Sequence, residues 1–284
     1  MMKQKLVSML THYTWDIAYF DYNVQDFKCF DFRKLHYIKN PYRDKWFADP
    51  FILDVTDEEL VLLVEEFDYS INRGRIAKIV VDRIADTIVD CKIILDLSTH
   101  LSFPAIYREG GKLYVHPENS ASGASFMYEY DRNSDVLINP ICVLDEPVTD
   151  AIIRKQGDCY IMSATCLPAP NGNILRYYTS DNLTGLYKFV SEELFKDNTA
   201  RMAGAFISYE GKMIRPAQDC CGAYGKAVVF YDGQNDLSWL APRGITYCGI
   251  HTYNSYKGIG IIDLKKWDHP ILVAIKDCMK KLVR

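Results

Sequence analysis

One pattern recurs along this chain with a period of about 50 residues, the spacing of a four-stranded structural repeat. An apolar strand runs into a tight turn, a second strand returns, and two further strands follow. The first copy is Trp46-Phe47-Ala48-Asp49-Pro50-Phe51-Ile52-Leu53, a turn over 54–59, and a return over 60–67. The second is 102–107, a turn at Gly110-Gly111, and Leu113-Tyr114-Val115-His116-Pro117-Glu118. The third is 148–153, a turn at Gly157-Asp158, then 159–164. The fourth is 203–207, a turn at Glu210-Gly211, and Met213-Ile214-Arg215-Pro216-Ala217-Gln218. A fifth, shorter copy is 249–253, a turn near Lys257-Gly258, then 259–263. Third strands align at 75–82, 125–131, 174–179 and 226–232, and fourth strands at 91–95, 141–144, 188–190 and 237–240.

Gly and Asp at the turns and β-branched or aromatic residues in the runs are hairpin chemistry. Four strands per repeat predict the blades of a β-propeller, in preference to a sandwich of short strands. The expected fold is all-β, a five-bladed β-propeller with a short C-terminal α-helix. The whole chain, 1–284, then forms one domain. Its blades fall over 46–96, 102–145, 148–195, 203–241 and 246–265, with an N-terminal strand over 15–24 helping to close the ring. Pro270 opens a helix over 270–283, with Leu272, Val273, Ile275, Met279 and Leu282 near one face and lysines elsewhere. Docking on the propeller rim is the expectation for it, with peripheral contact to an anionic membrane as the alternative.

Composition narrows the function. Lys and Arg number 33 against 37 Asp and Glu, a formal charge of −4, which argues against a nucleic-acid partner. No apolar run is long enough to span a membrane, and no secretory leader is recognised, so a cytoplasmic location is expected. Nine cysteines, an odd number without zinc-site spacing, read as reduced thiols. Gly-x-Gly-x-x-Gly, Walker and Gly-x-Ser-x-Gly patterns are missing, so no cofactor and no serine triad is expected. The oligomeric state is left open.

A propeller gathers distant positions at one mouth, because the innermost strand of every blade lines the axis. Asp49, Phe103, Asp150, Ala203 and His251 align at the start of the first strands, and Glu66, Glu118, Ala164 and Gln218 at the end of the second. Asp219 follows directly. Asp49, Glu66, Glu118, Asp150 and Asp219 are therefore candidate pocket acids, with His116, Arg215 and His251 close by. Acids in one pocket repel and their pKa values spread, which supplies both an ionised and a protonated carboxyl for glycosyl chemistry. Arg215 is placed to hold a carboxylate or grip a phosphate. A metal held by His116 or His251 is the weaker reading, and none is assigned.

At these residues a resemblance emerges. Trp46-Phe47-Ala48-Asp49-Pro50-Phe51 with Val64-Glu65-Glu66-Phe67 resembles the first blade of the N-terminal domain of glucosamine inositolphosphorylceramide transferases and their bacterial relatives. His116-Pro117-Glu118-Asn119-Ser120, Arg215-Pro216-Ala217-Gln218-Asp219-Cys220 and Gly249-Ile250-His251-Thr252-Tyr253 are similar to later blades of the same family. The resemblance covers 43–263 and extends to the five-bladed clan of glycoside hydrolase families 43, 32, 68 and 130. It implies a general base at Asp49 and an orienting acid at Asp150. Gln218-Asp219 stands where the hydrolases place a proton-donating Glu, and Glu118 is the nearest alternative. Trp46, Glu66, His116, Asn119, Arg215, Gln218 and His251 are expected around the substrate. The transferase activity of longer members belongs to a separate domain. Three functions follow: a carbohydrate-active enzyme of surface-glycan synthesis, a glycan or sugar-nucleotide binding module, or a protein-interaction propeller.

Overall fold

A computed structural model describes residues 12–242, 244 and 246–273. Five sheets of four or five strands make five blades. Blade I comprises Lys45–Val55, Glu59–Asp68, Arg73–Asp82 and Thr87–Leu95. Blade II comprises Ser102–Glu109, Lys112–Glu118, Ser125–Asp131 and Val136–Leu144. Blade III comprises Val148–Gln156, Cys159–Cys166, Ile174–Ser180 and Lys188–Leu194. Blade IV comprises Ile207–Tyr209, Lys212–Asp219, Ala227–Asp232 and Asn235–Leu240. All pairings within these blades are antiparallel.

Blade V is assembled from both ends of the chain. Ile259–Trp267 pairs on one side with Tyr247–Gly249 and Tyr253–Tyr256. On its other side it pairs with Tyr13–Asp21, in register from Tyr13 opposite Trp267 to Asp21 opposite Ile259. His36–Tyr37 completes the sheet. The N-terminal strand thus supplies the third strand of the last blade and closes the ring.

The core is divided in the same way. Four of five hydrophobic clusters each occupy one interface between neighbouring blades, and the fifth, between III and IV, reaches the first strands of blades I and II through Phe51, Phe103 and Ala105. Ile17, Phe47, Leu62 and Ile261 lie between blades V and I, and Leu63, Ile76, Leu113 and Val115 between I and II. Met127, Val143, Met162 and Tyr178 join II and III; Leu175, Phe195, Ala217 and Val229 join III and IV; Ile214, Phe230, Ile262 and Leu264 join IV and V. Inner strands are buried on both faces, whereas the outermost strand of blade III, Lys188–Leu194, is almost wholly exposed. This is why the inner strands read as continuous apolar runs while the outermost strand of blade III carries Lys188, Ser191, Glu192 and Glu193.

Two expected elements differ. The fourth repeat does not begin as a strand over 203–206. Met202 makes one bridge to Ala217, and regular pairing resumes only at Ile207. Gly204 sits at φ +152°, and a Cβ there would come 2.1 Å from the Tyr253 carbonyl oxygen, so blade V approaches too closely for a regular strand. In the fifth repeat, His251 and Thr252 interrupt the first strand. The C-terminal helix begins at Pro270, with Val273 buried and Ile271 exposed; the rest of the predicted 270–283 span lies outside the described residues. No helix among the described residues is long and apolar enough to cross a membrane.

Candidate functional site

The first strands of blades I, II and III carry the same irregularity. Pairing with the second strand skips between Ala48 and Phe51, between Ser102 and Ala105, and between Thr149 and Ile152. In each gap one residue adopts left-handed backbone: Asp49 at φ 50°, Phe103 at 45° and Asp150 at 46°. Such a conformation costs a non-glycine residue on the order of 1–3 kcal/mol, and the bulge re-aims its side chain. The repeat therefore turns Asp49 and Asp150 toward the mouth of the axis.

Asp49 is 3% exposed and hydrogen-bonded by two other blades. Its Oδ1 accepts from Thr252 Oγ1 at 2.8 Å and its Oδ2 from the Phe103 N–H at 3.2 Å. Asp263, from the second strand of blade V, completes the junction. Its Oδ1 accepts the N–H groups of His251 and Thr252, each at 3.0 Å, and its Oδ2 accepts the Asp49 N–H at 3.1 Å. His251 lies between the acids, with Nδ1 2.6 Å from Asp263 Oδ2 and Nε2 3.5 Å from Asp49 Oδ1. Its ring stacks on Trp15 at 3.9 Å and meets the Tyr224 ring edge at 5.3 Å.

Burial by itself pushes the His251 imidazolium down, but Asp263 and Asp49 outweigh it and raise its pKa to about 9. Burial drives the Asp49 carboxyl up to about 7, helped by Asp150, Glu65 and Asp263 and opposed by His251. Asp49 is thus poised to exchange a proton near neutrality. Asp150 is held differently: Arg201 donates from Nε at 2.6 Å and from Nη2 at 3.1 Å, and Gln218 donates from Nε2 at 2.5 Å. A bidentate guanidinium and an amide fix the position and orientation of this carboxyl group. The two aspartates, equivalent by repeat, sit in unlike environments.

Ligand atoms of Asp49, His251 and Asp263 lie within 4.8 Å of one another, a spacing open to a cation. Both Asp263 oxygens already accept two hydrogen bonds, and His251 spends Nδ1 on it. The donor set is that of a hydrogen-bonded triad, and a cation would have to displace those bonds.

The mouth brings together Asp49, Asp150, Gln218 and His251 of the expected residues. Glu118 stands at its half-exposed rim, accepting from the Ser120 N–H at 2.9 Å and Ser102 Oγ at 3.3 Å. Asn119 is buried beside it, and its Oδ1 has no partner among the described residues. Trp46 is half-buried and stacked face to face on Phe67 at 4.7 Å. His116 is buried on the second strand of blade II, its Nε2 2.8 Å from Ser125 Oγ. Burial lowers its pKa to about 4, so it is a neutral imidazole.

Three expected pocket residues point elsewhere. Ala48 pairs with Glu65, as Ser102 pairs with Glu118, so the equivalent of Glu118 is Glu65 and not Glu66. One step along a strand reverses the side chain. Glu66 is gripped on the other face by Lys45 at 2.7 Å and Arg75 at 2.9 Å, while Glu65 meets His100 at 3.2 Å. Arg215 donates to the carbonyls of Thr199 and Ala200 and packs its guanidinium against Phe195 and Tyr231, as a joint between blades III and IV. Asp219 caps the Cys221 N–H at 2.8 Å and pairs with Lys226 at 2.8 Å.

Arg201, Asp263, Thr252, Trp15 and Tyr224 were not foreseen. Asp263 alone carried a signal, as the terminal acid of the fifth repeat. Arg201 lies in the link before blade IV, and Trp15 comes from the other end of the chain, so their convergence is tertiary.

The model of a family described as glucosamine inositolphosphorylceramide transferase 1, N-terminal, matches residues 36–236. The rice protein of that name (Oryza sativa subsp. japonica) is 24% identical over 200 residues, which cover 67% of this chain and 26% of the relative. The Arabidopsis thaliana protein is 27% identical over 143 residues, covering 48% and 19%. The match thus spans about a quarter of the rice relative's length. Among solved structures, the RS223 β-xylosidase superposes with a TM-score of 0.50 at 11% identity, over 66% of this chain and 70% of that one. A family 43 β-1,3-galactosidase gives 0.51 at 12%, over 69% and 43%. Identities this low establish a shared fold. The family model covers most of the ring, from the closing edge of blade V through blade IV, and the chain belongs to the family of glucosamine inositolphosphorylceramide transferase 1 N-terminal domains.

Proposed function

We propose that this propeller is a carbohydrate-active protein that engages a glycosyl group at the axial mouth and transfers or hydrolyses it. The observation that carries the reading is the divergence of two repeat-equivalent acids: Asp49 titrates near neutrality while Asp150 is fixed by Arg201 and Gln218. Unlike environments around paired carboxyls let one exchange a proton while the other is held in place to position it. Asp49 would take the proton, Asp150 would orient it, and Glu118, the accessible carboxyl at the rim, would protonate the leaving oxygen. Trp46 and Asn119 would contact the sugar. The names of the curated relatives, which are transferases of a glycosyl group, and the family 43 fold are consistent with this chemistry. Surface-glycan synthesis in the cytoplasm is the setting we propose, in keeping with the eight free cysteines among the described residues.

One observation favours binding without turnover. Asp49 is 3% exposed, and both its oxygens already accept hydrogen bonds from neighbouring blades. One experiment separates the two readings. Wild type, Asp49→Asn and Glu118→Gln would be assayed for binding and turnover against a panel of sugar nucleotides and oligosaccharides. Turnover by wild type, lost with binding retained in the variants, supports the enzyme. Binding by wild type with no turnover leaves the binding module, and neither binding nor turnover at the mouth sinks both.

A further inference from the structure

Tyr224 stands at the mouth without a part in the hydrogen-bonded triad. It lies on the loop 220–226, which joins Lys212–Asp219 to Ala227–Asp232 in blade IV, between Gly222 at φ 79° and Gly225 at φ 62°. The loop leans on blade V. Lys265 donates from Nζ to the Tyr224 carbonyl at 2.9 Å, and the Ile250 N–H donates to the Gly225 carbonyl at 3.0 Å. The approach leaves no room for side chains. A Cβ on Gly249 would lie 1.9 Å from the Gly225 carbonyl oxygen, and one on Gly225 would lie 2.8 Å from Trp15 Cη2. Lys265 is buried, with Nζ 4.0 Å from the centre of the Tyr13 ring and 5.9 Å from those of Trp15, Tyr224 and Trp267. Burial lowers its pKa, and it has no carboxylate partner among the described residues. Its ammonium is taken up by the rings and by the Tyr224 main chain, which sets the loop in one place.

The Tyr224 ring joins the surroundings of the two acids. Its centre is 5.3 Å from that of the His251 ring, the neighbour of Asp49, and 5.3 Å from the Arg201 guanidinium that clamps Asp150. Its hydroxyl makes no hydrogen bond among the described residues. Burial raises the phenol pKa well above its ordinary value, and Asp49, Asp150 and Glu65 add to this against Arg201, so the group stays a protonated donor. Two buried acceptors of the same mouth also lack a partner among the described residues. They are Gln218 Oε1, on the amide that holds Asp150, and Asn119 Oδ1, beside Glu118. A donor and two acceptors left open are matched by a ligand rich in hydroxyls, because each hydroxyl both donates and accepts.

We infer that Tyr224 is a ligand-contacting residue of the mouth, its phenol donating a hydrogen bond to one hydroxyl of the bound glycosyl group. This role rests on the engagement of a glycosyl group at the mouth, and adds to that site a residue from the blade IV loop.

NMR titration with the methyl α- and β-glycosides of glucose, galactose, mannose and xylose tests it. Tyr224→Phe keeps the ring beside His251 and Arg201 and breaks no hydrogen bond of its own side chain, so an unchanged melting temperature is expected. Its affinity for the tightest-binding glycoside should fall about fivefold, as expected for one lost hydrogen bond. Monodeoxy analogues of that glycoside then find the partner. Removal of one particular hydroxyl should cost the wild type about fivefold in affinity and cost Tyr224→Phe nothing further, because the bond is already gone. A tyrosine with a structural role alone would leave every such loss the same in both proteins. Equal affinity of wild type and Tyr224→Phe for the parent glycoside, or equal losses in both across the analogues, overturns the role of Tyr224 and leaves the glycosyl site standing. Failure of the wild type to bind any of these glycosides overturns both.

Discussion

His251 Nδ1 lies 2.6 Å from Asp263 Oδ2, with the two side chains sealed from solvent between blades V and I. This pair is the hub of the ring closure, because Asp263 also holds the main chain of His251, Thr252 and Asp49. Protonation at this hub must therefore register in stability.

The His251 pKa is raised from the ordinary 6.5 to about 9. Its stabilising contribution is complete below the unfolded value and is lost as pH climbs through about 9. The Asp49 carboxyl, raised from 3.8 to about 7, binds more proton when folded than when unfolded, so it too lowers stability with rising pH, between about 4 and 7. Asp49→Asn removes the second effect. In urea titrations its stability relative to wild type is expected to rise across that window, with a slope no greater than about 1.4 kcal/mol per pH unit. A flat difference between pH 4 and 7 would show that Asp49 titrates normally.

Arg201 is the only guanidinium on Asp150 among the described residues. Arg201→Met leaves a buried carboxylate with the Gln218 amide as its remaining side-chain donor. The expected cost is about 3–5 kcal/mol, read as a shift in the urea midpoint. A second substitution, Asp150→Asn, should recover part of it, because the stranded charge is then gone. Simple additivity of the two losses would contradict this assignment.

Glu66 and Glu65 should separate cleanly. Glu66→Ala strips Lys45 and Arg75 of their shared acid on the face turned from the mouth, at an expected cost of about 2–3 kcal/mol because those cations retain some access to water. Ligand binding at the mouth should be unaffected. Glu65→Gln, beside His100, is expected to shift mouth affinity and to lower the His100 pKa by NMR titration, since Glu65 raises it against burial. The reverse outcome would restore Glu66 to the pocket.

Ring closure depends on a missing side chain. A Cβ on Gly260 would lie 2.2 Å from Phe20 Cζ, across the ladder that joins the N-terminal strand to blade V. Gly260→Ala should destabilise by about 1–3 kcal/mol through overpacking, seen as a lower melting temperature. Phe20→Leu in the same chain is expected to restore part of the loss. No rescue would mean that the clash is relieved elsewhere.

The fold was legible because its information is local and repeated. Turn residues such as Gly110-Gly111, with φ of 57° and 78°, and two-sided apolar strands specify hairpins, and five copies leave a closed ring as the way to cover their faces. Asp49, Asp150, Gln218 and His251 could be named for the same reason: the repeat places them at one level of the axis. The direction of each side chain was not local. Glu66 was misplaced because a bulge shifts the pairing by one residue, and that register is set by the opposing strand. Arg215 is drawn away from the mouth because the link between blades III and IV supplies the carbonyls of Thr199 and Ala200 and the Phe195 ring that it satisfies. The partners that fix the charge state of the site, Arg201, Asp263 and Trp15, are distant in sequence and carry no shared motif. Periodicity within the sequence determined which elements form and where the axis lies; only the packing of one blade on the next decided which acids face it and which protons they keep, because burial and charge pairing depend on neighbours from other blades.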